Sequence, residues 1–245
     1  MKIGGLEKLS LIDYPGEISA VVFTVGCTFR CPFCYNPVLV LPKGEIKNSS
    51  LPKGEEGEGR SSLNEDGLFH FLKTRQGKLD AVVITGGEPT KQPDLLKFIR
   101  KIKKLGFKIK LDTNGTNPEM LKKILAGKLV DYLAVDLKAA PADYPRATGV
   151  NFDFEKIKES VKIIKESGLP YEFRTTCVPG FIDKKSVKLM GELIADANKW
   201  YLQRFKSDTG LIDKSLEGKA NFTEKEMKEL IEIGKKYAKF CEVRG

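Results

Sequence analysis

Residues 26–36 carry the most informative pattern in the chain, Gly26-Cys27-Thr28-Phe29-Arg30-Cys31-Pro32-Phe33-Cys34-Tyr35-Asn36. The three cysteines are spaced C-x3-C-x2-C. Cysteine thiolates hold iron–sulfur clusters, and three of them leave one iron of a cubane cluster without a protein ligand. A metal site with an open position can bind and polarise a substrate, as catalytic zinc sites do. The spacing therefore indicates a metal site that acts on a substrate.

The triplet has three other interpretations: a disulfide, a zinc site and a four-cysteine electron-transfer cluster. The chain has five cysteines, an odd number, and no secretory segment, which disfavours a disulfide framework. Structural zinc normally takes four ligands, and His70 is the only histidine. A four-cysteine cluster would need Cys177 or Cys241, and distance along the chain excludes neither. Burial as inert core residues is the default interpretation of both.

Length and composition describe a globular chain. It has 245 residues, of which 41% are hydrophobic and 31% charged, a size that suits one α/β barrel. There is no apolar run long enough for a membrane span and no signal core at the N-terminus. We therefore expect a cytoplasmic protein with reduced thiols. The net charge of +9 is spread over lysines among glutamates, not on a basic stripe with aromatic residues, so no nucleic-acid partner is predicted.

Short β-rich segments alternate with amphipathic helices along the chain. The predicted strands are residues 18–25, 81–85, 107–111, 130–135, 171–177 and 200–205. The predicted helices are residues 64–74, 93–105, 153–167 and 183–198, with two more beginning at Asn117-Pro118 and at Thr223. About six βα units predict a parallel sheet with right-handed crossovers. Six units rather than eight predict an open partial (βα)6 barrel, in a single domain of residues 1–245.

A polar stretch at residues 43–62 interrupts this alternation. It is rich in Gly, Ser, Lys and Glu, a composition that predicts a surface loop. Because it follows the cysteine segment, it either covers the mouth of the site or is a tolerated insertion without a role.

Each predicted strand ends in or near a polar or glycine-rich cluster. The clusters are the three cysteines, Gly86-Gly87-Glu88-Pro89, Asp112-Thr113-Asn114-Gly115, Asp136-Leu137-Lys138, the region of Arg174, and Gln203-Arg204-Phe205. Functional residues of parallel α/β folds gather at the carboxyl ends of the strands, so we expect these clusters to face one another. Taken alone, glycine pairs and Asp-Thr-Asn-Gly runs mostly mark turns. Their order after the cysteine triplet makes them more specific.

These motifs, in this order, resemble those of the radical S-adenosylmethionine (SAM) superfamily. The resemblance is closest to activating enzymes of the glycyl-radical type, in particular the activating proteins of anaerobic ribonucleoside-triphosphate reductase. Besides the clusters above, it includes the leader at residues 4–16 and the segments 83–90, 111–118, 174–180 and 200–205. It covers nearly the whole chain apart from the polar stretch.

The resemblance implies reductive cleavage of SAM at a 4Fe–4S cluster, followed by hydrogen abstraction from a glycine of a partner protein. It implies Cys27, Cys31 and Cys34 as the cluster ligands. The SAM contacts that it implies are Phe33 near the adenine, Gly86, Gly87 and Glu88 at the ammonium group, and Thr113, Lys138 and Arg174 at the ribose or carboxylate.

Three further residues join the expected cofactor site. Asp112 and Asn114 are short polar residues that suit ribose hydroxyls. Asp112 and Asp136 also match a pattern that holds a monovalent cation in related activating enzymes, although both equally suit ordinary strand ends. Two departures leave the outer contacts open, because Tyr35 and Gln203 stand where many relatives have histidine.

The implied partner is a glycyl-radical enzyme, the anaerobic ribonucleotide reductase, with flavodoxin or ferredoxin as the electron donor. Motifs of this kind locate SAM without naming the substrate. A radical SAM enzyme that acts on another protein or on a small molecule therefore stays open. The four-cysteine electron-transfer protein stays open as an alternative of a different class.

Overall fold

The structure, a computed structural model, describes residues 1–40 and 64–244. The predicted surface loop at 43–62 lies outside the described residues. The chain divides into two compact units. Unit 1 comprises Met1–Thr28, Val38–Thr113 and Glu119–Leu133, and unit 2 comprises Phe29–Pro37, Asn114–Pro118 and Ala134–Gly245. The assignment of the whole chain to a single domain stays a prediction.

Eight described strands form one mostly parallel sheet in which each strand is next to its neighbour in the chain. They are β1 (Ile3–Ser10), β2 (Ser19–Thr24), β3 (Ala81–Gly86), β4 (Lys108–Thr113), β5 (Tyr132–Asp136), β6 (Tyr171–Cys177), β7 (Trp200–Arg204) and β8 (Cys241–Arg244). Strands β2, β3 and β4 pair in parallel, as do β6, β7 and β8. Because β1 and β8 stand at the two ends of this order, the described part of the chain forms an open sheet, as predicted.

The helices of the described residues alternate with the parallel strands, which confirms the α/β class. They are α1 (Pro37–Val40), α2 (Glu65–Lys73), α3 (Leu95–Lys103), α4 (Pro118–Ala126), α5 (Tyr144–Thr148), α6 (Glu155–Lys165), α7 (Lys184–Leu193) and α8 (Glu224–Gly234). Asn64 begins α2 by accepting a hydrogen bond from the Gly67 amide. Thr223 begins α8 in a capping box with Glu226. None of the helices in the described ranges is long and apolar enough to cross a bilayer.

The two end strands, β1 and β8, are not predicted by the sequence pattern. Strand β1 contains adjacent glycines, which are depleted in strands, and Ser10 is its only buried residue. It pairs with β2 in the antiparallel direction. Strand β8 has four residues, too few to establish a period. The predicted set of six parallel strands is therefore extended by one antiparallel and one parallel strand.

Strands β2 and β3 form the centre of unit 1. Val21, Val22, Val83 and Ile84 are at most 1% exposed, the continuous apolar burial that is typical of a parallel strand covered on both faces. The register places Thr24 beside Gly86. The last residues of β2 and β3 therefore lie side by side, and the chain leaves both strands at the same edge.

Polar pairs inside unit 2 attach the last strand to the sheet. Arg244 of β8 binds the fully buried carboxylate of Glu172 of β6 through two hydrogen bonds, of 2.8 and 3.1 Å. Its guanidinium also lies 3.5 Å from the ring centroid of Tyr201. A buried carboxylate is costly unless it is paired, so the two bonds from Arg244 offset part of the cost of burying Glu172 and join β8 to β6.

Candidate active site

In unit 1, backbone hydrogen bonds join the ends of β2 and β3 to the segment that leads into Cys27. The Gly87 amide donates to the Thr24 carbonyl at 2.9 Å, and the Glu88 amide donates to the Gly26 carbonyl at 2.8 Å. Two features that the sequence predicted separately, Cys27 and Gly-Gly-Glu, therefore lie together at the carboxyl edge of these strands.

Gly86 and Gly87 make this close approach possible. Gly86 has φ +112°, a value that residues with a side chain rarely adopt. A Cβ atom added there would lie 2.6 Å from the Thr24 carbonyl oxygen. A Cβ atom added at Gly87 would lie 2.6 Å from the Gly26 carbonyl carbon. A side chain at Gly86 would therefore push β3 away from β2, and a side chain at Gly87 would push it away from the segment that carries Cys27.

We expect Gly86→Ala to lower the free energy of unfolding by about 3 kcal/mol, because it adds a backbone overlap to the cost of positive φ. Gly106→Ala is the matched control. Gly106 has φ +90° and nothing within 4 Å of an added Cβ, so this variant bears only the conformational cost, about 1–2 kcal/mol. Urea unfolding monitored by circular dichroism measures both losses. Equal losses would contradict the close-approach argument.

The carboxylate of Glu88 joins the ends of β3 and β4. Glu88 is 1% exposed, and its Oε1 accepts hydrogen bonds from the Thr90 hydroxyl at 2.5 Å and the Thr113 hydroxyl at 2.7 Å. The Thr90 amide also donates to Oε1 at 3.0 Å. A carboxylate fixed in this way is suited to an ammonium group, because charge-assisted hydrogen bonds to carboxylates are strong.

Asp112 has a partner that the sequence analysis did not single out. The Lys110 ammonium lies 2.6 Å from Asp112 Oδ1, and the two side chains are 1% and 8% exposed. Residues two apart in a strand share a face, so the position of Lys110 in β4 would have predicted this pair. The monovalent cation at Asp112 and Asp136 stays a prediction, with a lysine already bound to the first of these aspartates.

Asn114 in unit 2 forms a turn with its own side chain. Its Oδ1 accepts hydrogen bonds from the amide of Thr116 at 3.1 Å and from the hydroxyl of Thr116 at 2.8 Å. This is the local side-chain turn that asparagine commonly forms. The contact of Asn114 with a ribose stays a prediction.

Cys31 and Cys34 lie on one turn of unit 2, since the Cys34 amide donates to the Cys31 carbonyl at 3.0 Å. The preceding Arg30 amide donates to the Thr148 carbonyl at the end of α5, at 2.7 Å. Between the cysteines, Phe33 is 4% exposed and packs edge-on against Phe181, with ring centroids 5.5 Å apart. The turn is therefore held in place by other residues of unit 2. The contact of Phe33 with an adenine stays a prediction.

Asp136, Lys138 and Arg174 form a hydrogen-bonded charge cluster in unit 2. Arg174 Nε donates to Asp136 Oδ1 at 2.8 Å, and Lys138 Nζ donates to Asp136 Oδ2 at 3.1 Å. Burial alone would raise the pKa of Asp136, but the charges of Arg174 and Lys138 outweigh it and hold that pKa well below its usual range. The aspartate therefore stays ionised, and the cluster carries two positive charges and one negative charge.

The same cluster acts on the side chains of the cysteine turn. Burial lowers the pKa of Lys138, but Asp136 and then Cys31 more than offset it, so the pKa is raised. Burial, followed by the charge of Asp136, raises the pKa of the half-exposed Tyr35. Lys138 is thus close enough to favour a Cys31 thiolate, the form in which cysteine binds metals. Tyr35 lies beside the cluster; Gln203 belongs to β7 and pairs with Thr176.

The cysteines therefore fit a thiolate-bound metal group in their chemistry. None of the five cysteines, all of which lie in the described ranges, forms a disulfide. The charge of Lys138 acts on Cys31, whereas burial raises the pKa of the Cys34 thiol. Within residues 1–40 and 64–244, no three side chains of His, Cys, Asp or Glu are gathered closely enough to hold a metal ion. The assignment of Cys27, Cys31 and Cys34 as cluster ligands consequently rests on their spacing and on the resemblance of the chain to radical SAM proteins.

Cys177 and Cys241 are core residues of unit 2. Cys177 is fully buried, and Cys241 is 2% exposed. The Cys177 thiol donates to the Thr175 carbonyl at 3.8 Å. Burial raises the pKa of both thiols to about 12. Both therefore stay protonated at neutral pH, which supports their interpretation as inert core residues.

We expect iodoacetamide at pH 8 to leave Cys177 and Cys241 unmodified in the folded protein, because only about one thiol in ten thousand is ionised four pH units below a pKa of about 12. Since these pKa values exceed the ordinary 9.0, the stability linked to the protonated thiols is present below pH 9 and is lost as pH rises towards about 12. Peptide mass spectrometry measures the alkylation, with urea-unfolded protein as control. Equal rates in both states would contradict the burial of the thiols.

Comparisons with known proteins define the class of this fold and site. Residues 21–193 match the family model of the radical SAM superfamily. This match spans more than half of the chain, so the chain belongs to the radical SAM superfamily. The family implies a 4Fe–4S cluster and SAM as cofactors.

Within this superfamily the chain is a homologue of an activating enzyme. It is 32% identical over 240 residues to a Methanocaldococcus jannaschii protein described as a "putative glycyl-radical enzyme activating enzyme". The match covers 96% of this chain and 92% of that protein. A "probable GTP 3′,8-cyclase" of Saccharolobus solfataricus is 31% identical over 161 residues, which are 63% of this chain and 46% of that protein.

Solved structures share the fold. A domain of the pyruvate-formate lyase-activating enzyme from Bacteroides vulgatus has a TM-score of 0.54 at 19% identity, covering 68% of this chain and 99% of that chain. Streptococcus suis SuiB bound to SAM has a TM-score of 0.63 at 16% identity, covering 92% of this chain and 50% of that chain. These likenesses confirm the predicted fold class, the open α/β architecture of radical SAM proteins.

Proposed function

We propose that this chain is an activating enzyme that generates a glycyl radical on an anaerobic ribonucleoside-triphosphate reductase. The observation that carries the proposal is the C-x3-C-x2-C triplet in a chain that matches the M. jannaschii protein over 96% of its length. The match to the GTP cyclase covers only 63% of the chain and 46% of that protein, which favours an activating enzyme. The choice of reductase rests on the motifs from the leader at residues 4–16 to residues 200–205.

In this proposal the three cysteines bind the cluster, and the residues at the end of β3 bind SAM. Cys27, Cys31 and Cys34 hold the cluster, which with SAM supplies a radical able to take a hydrogen atom from glycine. Glu88, held by two threonine hydroxyls, binds the methionine ammonium. Gly86 keeps backbone carbonyls within reach of the same group, because it permits the close pairing of β3 with β2.

Asp136, Arg174 and Lys138 form the cationic part of the proposed SAM site. The Asp136 carboxylate holds Arg174 and Lys138 in place through two hydrogen bonds. Two cations and one carboxylate leave one net positive charge, which complements the single negative charge of the methionine carboxylate. Arginine suits this role because its planar fork of N–H donors matches a carboxylate.

We place the enzyme in the cytoplasm, with flavodoxin or ferredoxin as its electron donor. None of the five cysteines forms a disulfide in the described ranges, which supports a reducing compartment. A low-potential one-electron donor is what reduction of the cluster requires.

The choice of partner is tested by the yield of 5′-deoxyadenosine. The reconstituted enzyme is reduced with dithionite and given SAM together with either the anaerobic ribonucleotide reductase of the same organism or a pyruvate formate-lyase. We expect the reductase alone to increase the yield. If neither protein increased the yield of 5′-deoxyadenosine above its basal level, another substrate would be favoured. An intact cluster that yields no 5′-deoxyadenosine would favour the electron-transfer interpretation.

A further inference from the structure

The segment after β7 reaches the cysteine turn of unit 2. We name residues 206–221 the clamp loop. Its Ile212 amide donates to the Cys34 carbonyl at 3.2 Å, and its Asp213 amide donates to the Pro32 carbonyl at 2.9 Å. Both acceptors belong to the C-x3-C-x2-C segment. The sequence motifs predict no role for this loop, and none of the expected cofactor contacts belongs to it.

Hydrogen bonds within the clamp loop fix its conformation. The Gly218 amide donates to the Ser207 carbonyl at 2.7 Å, and the Ser207 hydroxyl donates to the Lys219 carbonyl at 2.8 Å. These two bonds close the base of the loop. Glu217 Oε1 accepts from the amide of Leu211 at 2.9 Å, and Leu211 is 4% exposed. Compact loops of this kind are stabilised by their own side chains.

Asp213 and Glu217 flank the two amides that reach the cysteine turn. Asp213 Oδ1 accepts from the Ser215 amide at 2.9 Å, which starts a short 3-10 helix at Lys214–Leu216. Glu217 binds the amide of the residue just before Ile212. The amides of Ile212 and Asp213 therefore lie between two carboxylates, Glu217 and Asp213, that bind neighbouring amides of the same loop.

We propose that the clamp loop positions the cluster ligands Cys31 and Cys34, with Glu217 as the residue that keeps the amides of Ile212 and Asp213 on the cysteine turn. This inference rests on the proposed function, because it takes these cysteines as ligands. Groups that hold the ligands of a metal, without touching it, change metal affinity by about 10–100-fold. Two N–H dipoles directed at the turn also favour added negative charge there.

Two substitutions of Glu217 separate its hydrogen bond from its presence in the loop. Glu217→Ala removes the acceptor for the Leu211 amide, while Glu217→Gln keeps an amide oxygen at that place. Asp208→Ala is the control, since Asp208 is an exposed carboxylate of the same loop. Circular dichroism confirms that each variant is folded.

The first measurement is hydrogen exchange in the cluster-free protein. We expect the amides of Ile212 and Asp213 to be protected in the wild type and in Glu217→Gln. In Glu217→Ala they exchange about tenfold faster, as the loss of one net hydrogen bond allows. Unprotected amides in the wild type would overturn the inference, even if Glu217→Ala failed to fold.

The second measurement follows the loaded protein. We expect an iron chelator to bleach the cluster about tenfold faster in Glu217→Ala than in the wild type, Glu217→Gln or Asp208→Ala. The reduction potential of Glu217→Ala becomes more negative. If all four proteins bleach at one rate and share one potential, the inference is wrong. A wild type that assembles no cluster would instead refute the proposed function, and the exchange data would still decide whether the loop holds the turn.

Discussion

Replacement of any one of Cys27, Cys31 and Cys34 by alanine is expected to abolish the visible absorbance of the cluster and the cleavage of SAM. Even residues that only support a metal ligand change metal affinity by about 10–100-fold, so loss of a ligand should exceed about 100-fold. A site with three protein ligands has no spare thiolate to replace the missing one. Iron and sulfide content, measured after anaerobic reconstitution, gives the result directly.

Cys177→Ala and Cys241→Ala are the matched controls. Both remove a thiol, and both thiols are protonated core groups with a pKa of about 12. We expect each variant to keep a full cluster while losing about 1–2 kcal/mol of stability through the small cavity created. Cluster loss in either control would contradict the three-ligand account and would favour a four-cysteine electron-transfer centre.

Arg174→Gln is expected to weaken the binding of SAM by about 10–100-fold. A hydrogen bond from a charged donor contributes about 1.5–3 kcal/mol, and Arg174 is only 13% exposed. The substitution also removes the excess positive charge, because Lys138 then neutralises Asp136 and nothing is left for a second carboxylate. Anaerobic calorimetry with SAM measures the dissociation constant.

Decarboxylated SAM identifies the group that Arg174 binds. It should bind Arg174→Gln at least as tightly as the wild type, since it has no carboxylate for Arg174 to bind and its two positive charges are no longer repelled by the guanidinium. Lys184→Gln is the control for net charge, because Lys184 forms an ion pair with Glu229 and is 65% exposed. If Arg174→Gln weakened both ligands by the same factor, Arg174 would have a structural role instead.

The grouping of polar side chains at neighbouring strand ends could be predicted, because the carboxyl ends of parallel strands meet at one edge of a sheet. Glu88 and Thr113 are 25 residues apart, yet their hydrogen bond joins the predicted ends of β3 and β4. Asp136 and Arg174 are 38 residues apart and pair in the same way. In both cases the strand pattern gave the position, and the residue types gave the chemistry.

Other parts of the structure could not be predicted, because the amino-acid sequence carries little signal for them. The clamp loop acts through backbone amides, which every residue except proline has, so residue identity at 212 and 213 carries no information. Strand β1 contains Gly4 and Gly5, which hide its strand character. The pair of Lys110 with Asp112 is different, since two residues on one strand face could have predicted it, but a lysine in an apolar run is usually taken as exposed. The division into two units could not be predicted either, because strands and helices alternate in the same way in both units.

Electron paramagnetic resonance of the reductase is the most direct test of the central proposal, in which a hydrogen atom moves from a glycine of the partner to a 5′-deoxyadenosyl radical derived from SAM. This transfer leaves the radical on the glycine and gives 5′-deoxyadenosine as the product. The reduced enzyme, SAM and the anaerobic ribonucleotide reductase are incubated without oxygen. We predict a doublet signal on the reductase, which collapses to a singlet when its glycines are deuterated at Cα, with deuterium appearing in 5′-deoxyadenosine. Cys31→Ala should give no signal. An intact cluster that cleaves SAM beside a reductase without any radical would contradict the account.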